Sequence, residues 1–189
     1  GAEDGTLVWA QRQTGAYGRQ GRAWASASGN LFLSLVVRPD CPLSTAAQFS
    51  FIAAVALGDA FGSVAPPMIE VTYKWPNDVL LNGGKISGIL LESSIVPDGR
   101  RAVVIGCGVN VAHAPKEAMY ATATLRDAGA AVSAEELFAC LCQSMARELA
   151  RWGEGTNMPE TRELWLRWAT GVGKQITVNM PNASIEGIF

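Results

Sequence analysis

The chain has 189 residues, is 49% hydrophobic and carries a net charge of −2. That is enough apolar material for one packed domain with a small appendage, and it leaves no basic surplus for generic nucleic-acid binding. The longest apolar stretch, within residues 46–61, is interrupted by Gln48, Ser50, Gly58 and Asp59, so a core helix is expected rather than a membrane span, and no signal peptide is visible at the start.

In chain order, residues 7–11 predict a strand and residues 13–28, rich in Gly, Arg and Ser, a loop. The apolar run 31–38, ended by Pro39, predicts a buried strand. Ser44 is a candidate cap for a helix to about Phe61, followed by a turn over 62–67. Residues 69–74 predict a strand, and 79–81 and 85–92 a hairpin about Asn82-Gly83-Gly84. Residues 102–111 predict another strand, in which Gly106 and Gly108 permit close approach to the backbone. Ser133-Ala134-Glu135-Glu136 is a capping-box pattern opening a helix to about Trp152, and 161–168 predict a third helix. Residues 174–178 and 184–189 predict two strands, the start of a small β module. The order of elements implies an α+β fold, a mixed or antiparallel sheet with packed helices.

His113 is the only histidine, so a Ser-His-Asp triad or a multi-histidine zinc site has little to build on. Cys41, Cys107, Cys140 and Cys142 lack C-x-x-C spacing and read as reduced thiols of a cytoplasmic protein. Asn182-Ala183-Ser184 is formally a glycosylation sequon, which such a protein would not use.

Two stretches carry chemistry. Lys74-Trp75-Pro76-Asn77-Asp78, followed by Gly84-Lys85-Ile86-Ser87-Gly88-Ile89-Leu90, sets two lysines and a carboxylate about a turn between apolar runs. Lysine is costly to bury, so this pattern points to a pocket for an anion. The loop from Gln13 to Trp24 adds glycines that open backbone N–H groups, the guanidinium forks of Arg19 and Arg22, and an indole able to stack on a ring. No Walker A pattern is present, because Gly84-Lys85 lacks the upstream glycine and the following Ser/Thr.

Lys-Trp-Pro-Asn-Asp, then Gly-Lys-x-x-Gly-Ile-Leu-x-Glu ending at Glu92, then Ile105 to Val111, in this order, resembles the biotin protein ligase family, and the likeness runs from about Leu7 to the C-terminus. The resemblance implies a catalytic domain like those of class II aminoacyl-tRNA synthetases and lipoate ligases over residues 1–170, with residues 171–189 beginning an SH3-like β domain. It implies an ATP- and Mg²⁺-dependent enzyme that converts biotin to biotinyl-5′-AMP and passes it to a lysine of a biotin carboxyl carrier domain. Activation of another carboxylic acid, and a non-catalytic ligand-binding role, are the alternatives.

By resemblance, Lys85 bridges the biotin carboxyl and the α-phosphate, with Arg19, Lys74 and Asp78 as its catalytic companions. Gln13, Gly18, Gly88 and Ile89 line the biotin side. Arg22, Trp24, Asn77 and Asn110 join Arg19 and Lys74 on the nucleotide side, and Asp78 is the candidate Mg²⁺ ligand. Trp75, Pro76 and Glu92 are expected to shape the structure. The family's loop pattern, Gln-Thr-x-Gly-Arg-Gly-Arg-x-Gly-Arg-x-Trp, is broken at Ala16-Tyr17, which removes one guanidinium, and its Ser-Thr-Asn signature is not seen. No N-terminal helix-turn-helix pattern is seen, so the repressor role of some family members has no support; by charge and by the interrupted apolar run, neither nucleic acid nor membrane is expected as a partner, and a homodimer is possible through a sheet edge.

Overall fold

The computed structural model describes residues 2–97, 99–115, 117–118, 120–180 and 182–189. Six strands form one sheet in the order β1-β2-β6-β5-β4-β3: β1 Leu7–Ala10, β2 Leu31–Val37, β3 Val71–Lys74, β4 Asp78–Leu81, β5 Gly84–Ile95 and β6 Arg101–Val109. Every pairing among them is antiparallel, the simpler of the two arrangements expected. Parallel contacts are confined to isolated bridges such as Tyr73 with Ala169.

Alternation along the strands gives the sheet two different faces. Leu31, Leu33 and Leu35 of β2, Val79 and Leu81 of β4, Ile86 and Ile89 of β5, and Ile105 and Val109 of β6 enter one core. The helices α1 Leu43–Ala46, α2 Phe49–Val64, α3 Ala134–Trp152 and α4 Met158–Arg167 cover that face. The opposite face presents Ser34, Leu80, Gly88, Leu90, Gly106 and Gly108, and here the cavity lies.

The helix expected from Ser44 to Phe61 is in fact two. Pro42 starts α1, which puts Ser44 inside the first turn with no capping hydrogen bond. Ala47 and Gln48, between α1 and α2, keep right-handed helical dihedrals, and Trp152 Nε1 donates to Gln48 Oε1 at 2.7 Å there. Gly62 does not end α2, which runs to Val64 and closes with Ala65 N donating to Phe61 O. Residues 43–64 are long and apolar enough to pass for a membrane span, but half of that window is buried inside the protein. Gly58 has a steric reason to be glycine, since a Cβ there would lie 2.1 Å from the Tyr73 hydroxyl.

The capping box of α3 is present as read. Ser133 Oγ accepts from Glu136 N, and the Glu136 carboxylate accepts from Ser133 N. The last helix starts at Met158 rather than 161, with proline in its first turn. After it, β7 Gln175–Met180 and β8 Ala183–Ile188 form a separate two-stranded sheet. Phe189 ties this hairpin to the body, its ring centroid 6.2 Å from that of Trp165.

Candidate active site

A cavity of about 1030 Å³ opens on the bare face of the sheet. The loop 13–24, the turn 74–78, strands β4 to β6, Tyr120-Ala121 and Thr177 to Met180 of β7 bound it. Its volume is at the top of the usual range for small-molecule sites, roughly 300–1,000 Å³.

Lys85 reaches this cavity because β5 is irregular. The register slips between Val79 and Leu80, so that Val79 faces Ser87 while Leu80 faces Lys85. Ile86, with no exposed surface, takes up the extra residue and points into the core. Lys85 is thereby returned to the face that carries Gly88, Leu90 and Glu92. A flanking segment then straps the backbone: Lys85 N donates to Ala121 O at 2.8 Å, and Ala123 N to Lys85 O at 3.0 Å. Glycine at 84 is needed for that approach, since a Cβ there would lie 2.9 Å from the Thr122 carbonyl.

The ammonium group of Lys85 sits among three partners. Its Nζ is 2.7 Å from Asp78 Oδ1. It also lies 5.4 Å from the Trp24 ring centroid and 5.3 Å from that of Tyr120, within cation–π range. Asp78 Oδ1 is buried without an aligned hydrogen-bond donor, so charge rather than hydrogen-bond geometry holds the pair.

Gly88 and Gly108 are cross-strand partners and make a floor of bare backbone. The Trp24 indole lies against it: a Cβ on Gly108 would come within 2.8 Å of the ring, and one on Gly88 within 3.0 Å. The Trp24 Nε1 donor is buried and unpartnered. A buried N–H of this kind is costly unless an acceptor completes it.

The loop over the cavity is a small hairpin. Gly18 N donates to Arg22 O at 2.7 Å and Trp24 N to Ala16 O at 3.1 Å. Its tip, Arg19–Gly21, is a 3-10 turn with Gln20 and Gly21 at positive φ. Arg19 Nη1 approaches Asn77 Oδ1 at 3.4 Å, and Arg22 Nη2 approaches Gln20 Oε1 at 3.2 Å. Tyr17, at the site of the broken motif, donates its hydroxyl proton to Glu92 Oε1 at 2.7 Å. This hydrogen bond to a carboxylate, with the charge beside it, raises the Tyr17 phenol above its ordinary value of 10.0.

Gln13, Gly18, Arg19, Arg22, Trp24, Lys74, Asn77, Asp78, Lys85, Gly88 and Ile89 all line the cavity. Asn110 does not. It is 3% exposed, and its side-chain amide lies behind the wall, 3.4 Å from the Lys85 carbonyl oxygen. Asn77 works as a pin as well as a wall, because its Nδ2 donates to Ile89 O at 2.9 Å. Cys107 backs onto the core, where burial pushes its thiol up to about 12 and leaves it unreactive.

Three contributors were not foreseen: Tyr120 beside Lys85, Glu92 opposite Tyr17, and Thr177 to Met180 at the rim. Glu92 closes the Gly-Lys-x-x-Gly-Ile-Leu-x-Glu block, and that was its only signal.

Residues 5–166 match the biotin/lipoate A/B protein ligase family. The chain belongs to that family. It is 40% identical to a biotin–[acetyl-CoA-carboxylase] ligase of Paracoccus denitrificans, an alignment that takes in 100% of this chain and 81% of the relative. A biotin–[acetyl-CoA-carboxylase] ligase of Mycobacterium tuberculosis is 32% identical over 94% of this chain and 66% of its own length. Among solved structures, the biotin protein ligase of Aquifex aeolicus in complex with biotin and ATP superposes with a TM-score of 0.82. That likeness covers 100% of this chain and 78% of the other, at 23% identity, and so speaks for the fold.

Proposed function

We propose that this chain is an ATP-dependent biotin protein ligase, which makes biotinyl-5′-AMP and transfers the biotinyl group to a lysine of a biotin carboxyl carrier domain. The observation that carries the reading is the convergence of Lys85 with the Gly88–Gly108 floor, next to a loop bearing Arg19 and Arg22.

In the first step a carboxylate oxygen of biotin attacks the α-phosphorus of ATP, the bond to the bridging oxygen breaks, and pyrophosphate leaves. Two anions approach one another, so a fixed cation between them lowers the barrier. Lys85 is that cation, held by Asp78. Arg19, Arg22 and Lys74 take the phosphate oxygens. Gln13, Gly18, Gly88 and Ile89 form the biotin side, and Trp24 and Asn77 the nucleotide side. Asn110 supports the Lys85 backbone from behind. In the second step the neutral amine of the carrier lysine attacks the acyl carbon, AMP leaves, and the nitrogen gives its extra proton to solvent.

Asp78, already paired with Lys85, is the carboxylate that would hold Mg²⁺ accompanying ATP, since Mg²⁺ at substrate phosphates takes only one or two protein carboxylates. The ion would offset charge on the phosphates, and no step assigned to these residues passes through it.

The four cysteines are free thiols, in keeping with a reducing cytoplasm. Residues 171–189 read as the opening hairpin of a further small β module. Biotin-dependent ATP–pyrophosphate exchange tests the proposal. Exchange is expected with biotin and lost in Lys85→Ala. Exchange with another carboxylic acid alone would reassign the substrate, and exchange undiminished in Lys85→Ala would overturn the mechanism.

A further inference from the structure

We infer that the Tyr17–Glu92 hydrogen bond is a clasp that keeps the ligand loop closed over the acyl-adenylate while Arg19 moves from Asn77 to phosphate. This rests on the adenylating reading above, and it assigns a positioning role to two residues that take no part in the chemistry derived there.

The loop has tethers of unequal strength. At its base, Gln13 N donates to Ser26 Oγ at 2.7 Å, within the loop itself. Among the described residues, two side-chain hydrogen bonds cross the cavity, one to the turn 74–78 and one to β5. Arg19 to Asn77 spans 3.4 Å, at the outer limit of a hydrogen bond. Tyr17 to Glu92 spans 2.7 Å and joins a phenol to a carboxylate, the shorter and stronger kind.

Their fates on ligand binding differ. A guanidinium that meets phosphate oxygens gives up a long bond to a neutral amide, so the Arg19 tether is spent when the nucleotide arrives. Tyr17 has no charge to offer a phosphate, and its carboxylate partner is repelled by one. The clasp therefore persists with ligand present. The loop is stiff enough to transmit it, since Tyr17 pairs with Ala23 across the hairpin. Fixing Tyr17 fixes Ala23 on the opposite leg, and with it the next residue there, Trp24, against the Gly88–Gly108 floor.

The test uses the full chain with biotin and ATP as probes. Adenylate is formed in place, and its release is followed in a chase with excess unlabelled biotin. Tyr17→Phe and Glu92→Gln are each expected to speed release about fivefold, the effect of one modest hydrogen bond. The adenylation rate should change by less than the release rate. The double variant should release no faster than either single variant. Tyr17→Arg should recover retention, because a guanidinium reaches the same carboxylate. Release at the parental rate in Tyr17→Phe, or multiplying effects in the double variant, would overturn the clasp.

A second readout needs no ligand. Amide exchange at Gly18 and Trp24, whose N–H groups close the hairpin, should accelerate in Tyr17→Phe. Unchanged exchange there overturns the clasp whether or not the protein adenylates biotin. Absence of adenylate in the parental chain would instead overturn the proposed function.

Discussion

Asp78 Oδ1 and Lys85 Nζ are 2.7 Å apart with side-chain exposures of 22% and 15%, so each charge meets the other before it meets solvent. Breaking one side of such a pair leaves the other charge poorly compensated. Asp78→Asn should therefore mislead Lys85 rather than remove it. Adenylation is expected to slow about tenfold through lost positioning, with a smaller change in the KM for biotin. Lys85→Ala should cost more, about 10²–10³-fold, as expected for a lost charge-stabilising group. Pyrophosphate exchange measures both. Equal losses in the two variants would mean that Asp78 does more than hold the lysine.

The glycine floor makes a steric prediction. A Cβ on Gly108 would stand 2.8 Å from the Trp24 ring. Gly108→Ala must lift the indole or shift β6, and overpacking of this kind costs about 1–3 kcal/mol. ATP affinity, measured by calorimetry, should fall roughly tenfold or more. Adding Trp24→Ala should recover the fold's stability without recovering ATP binding. Unaltered affinity in Gly108→Ala would place the nucleotide elsewhere in the cavity.

Asn77 gives a stability prediction. Its Nδ2 donates to Ile89 O, and Ile89 N donates back to Asn77 O, both at 2.9 Å, so the turn after β3 is stitched to β5 twice. Asn77→Ala removes one stitch and strands a part-buried carbonyl, at a cost of about 1–2 kcal/mol in urea unfolding. Asn77→Asp should cost at least as much, since it sets a carboxylate against that carbonyl. An unchanged midpoint in both variants would show that the stitch carries no stability.

What the sequence made legible was local. The Ser133–Glu136 box involves residues three apart, and Asn82-Gly83 forms its turn at positive φ, so both are written in adjacent letters. The step between α1 and α2 was missed because it keeps helical dihedrals at Ala47 and Gln48 and because α2 is buried on most sides and shows no clear stripe. The slip that aims Lys85 depends on which residue of β4 faces it, and no strand states that by itself. Tyr17 and Glu92 stand 75 positions apart, so the broken loop motif showed only what was lost. Asn110 was assigned to the cavity from a shared block of residues, whereas its burial behind Lys85 follows from packing.

Two glutamates of α3 should mark stability with opposite pH signatures. Glu136 accepts from the Ser133 backbone and hydroxyl, which lowers its carboxyl below the ordinary 4.5. Its contribution is present above that value and is lost as pH falls through the lowered one. Glu148 is raised, first by burial, against the opposing pull of Arg151 and Arg147. Its contribution is full below 4.5 and is lost as pH rises through the higher value. Thermal unfolding from about pH 3 to about pH 7 separates them. Glu136→Gln should fall further below the parental chain as pH rises, because the parent gains the cap's charge. Glu148→Gln should gain on the parent over the same range, because the parent pays to keep a buried carboxylate ionised. A Glu148→Gln variant that instead lost ground with rising pH would show that the ion pairs with Arg147 and Arg151 outweigh the burial.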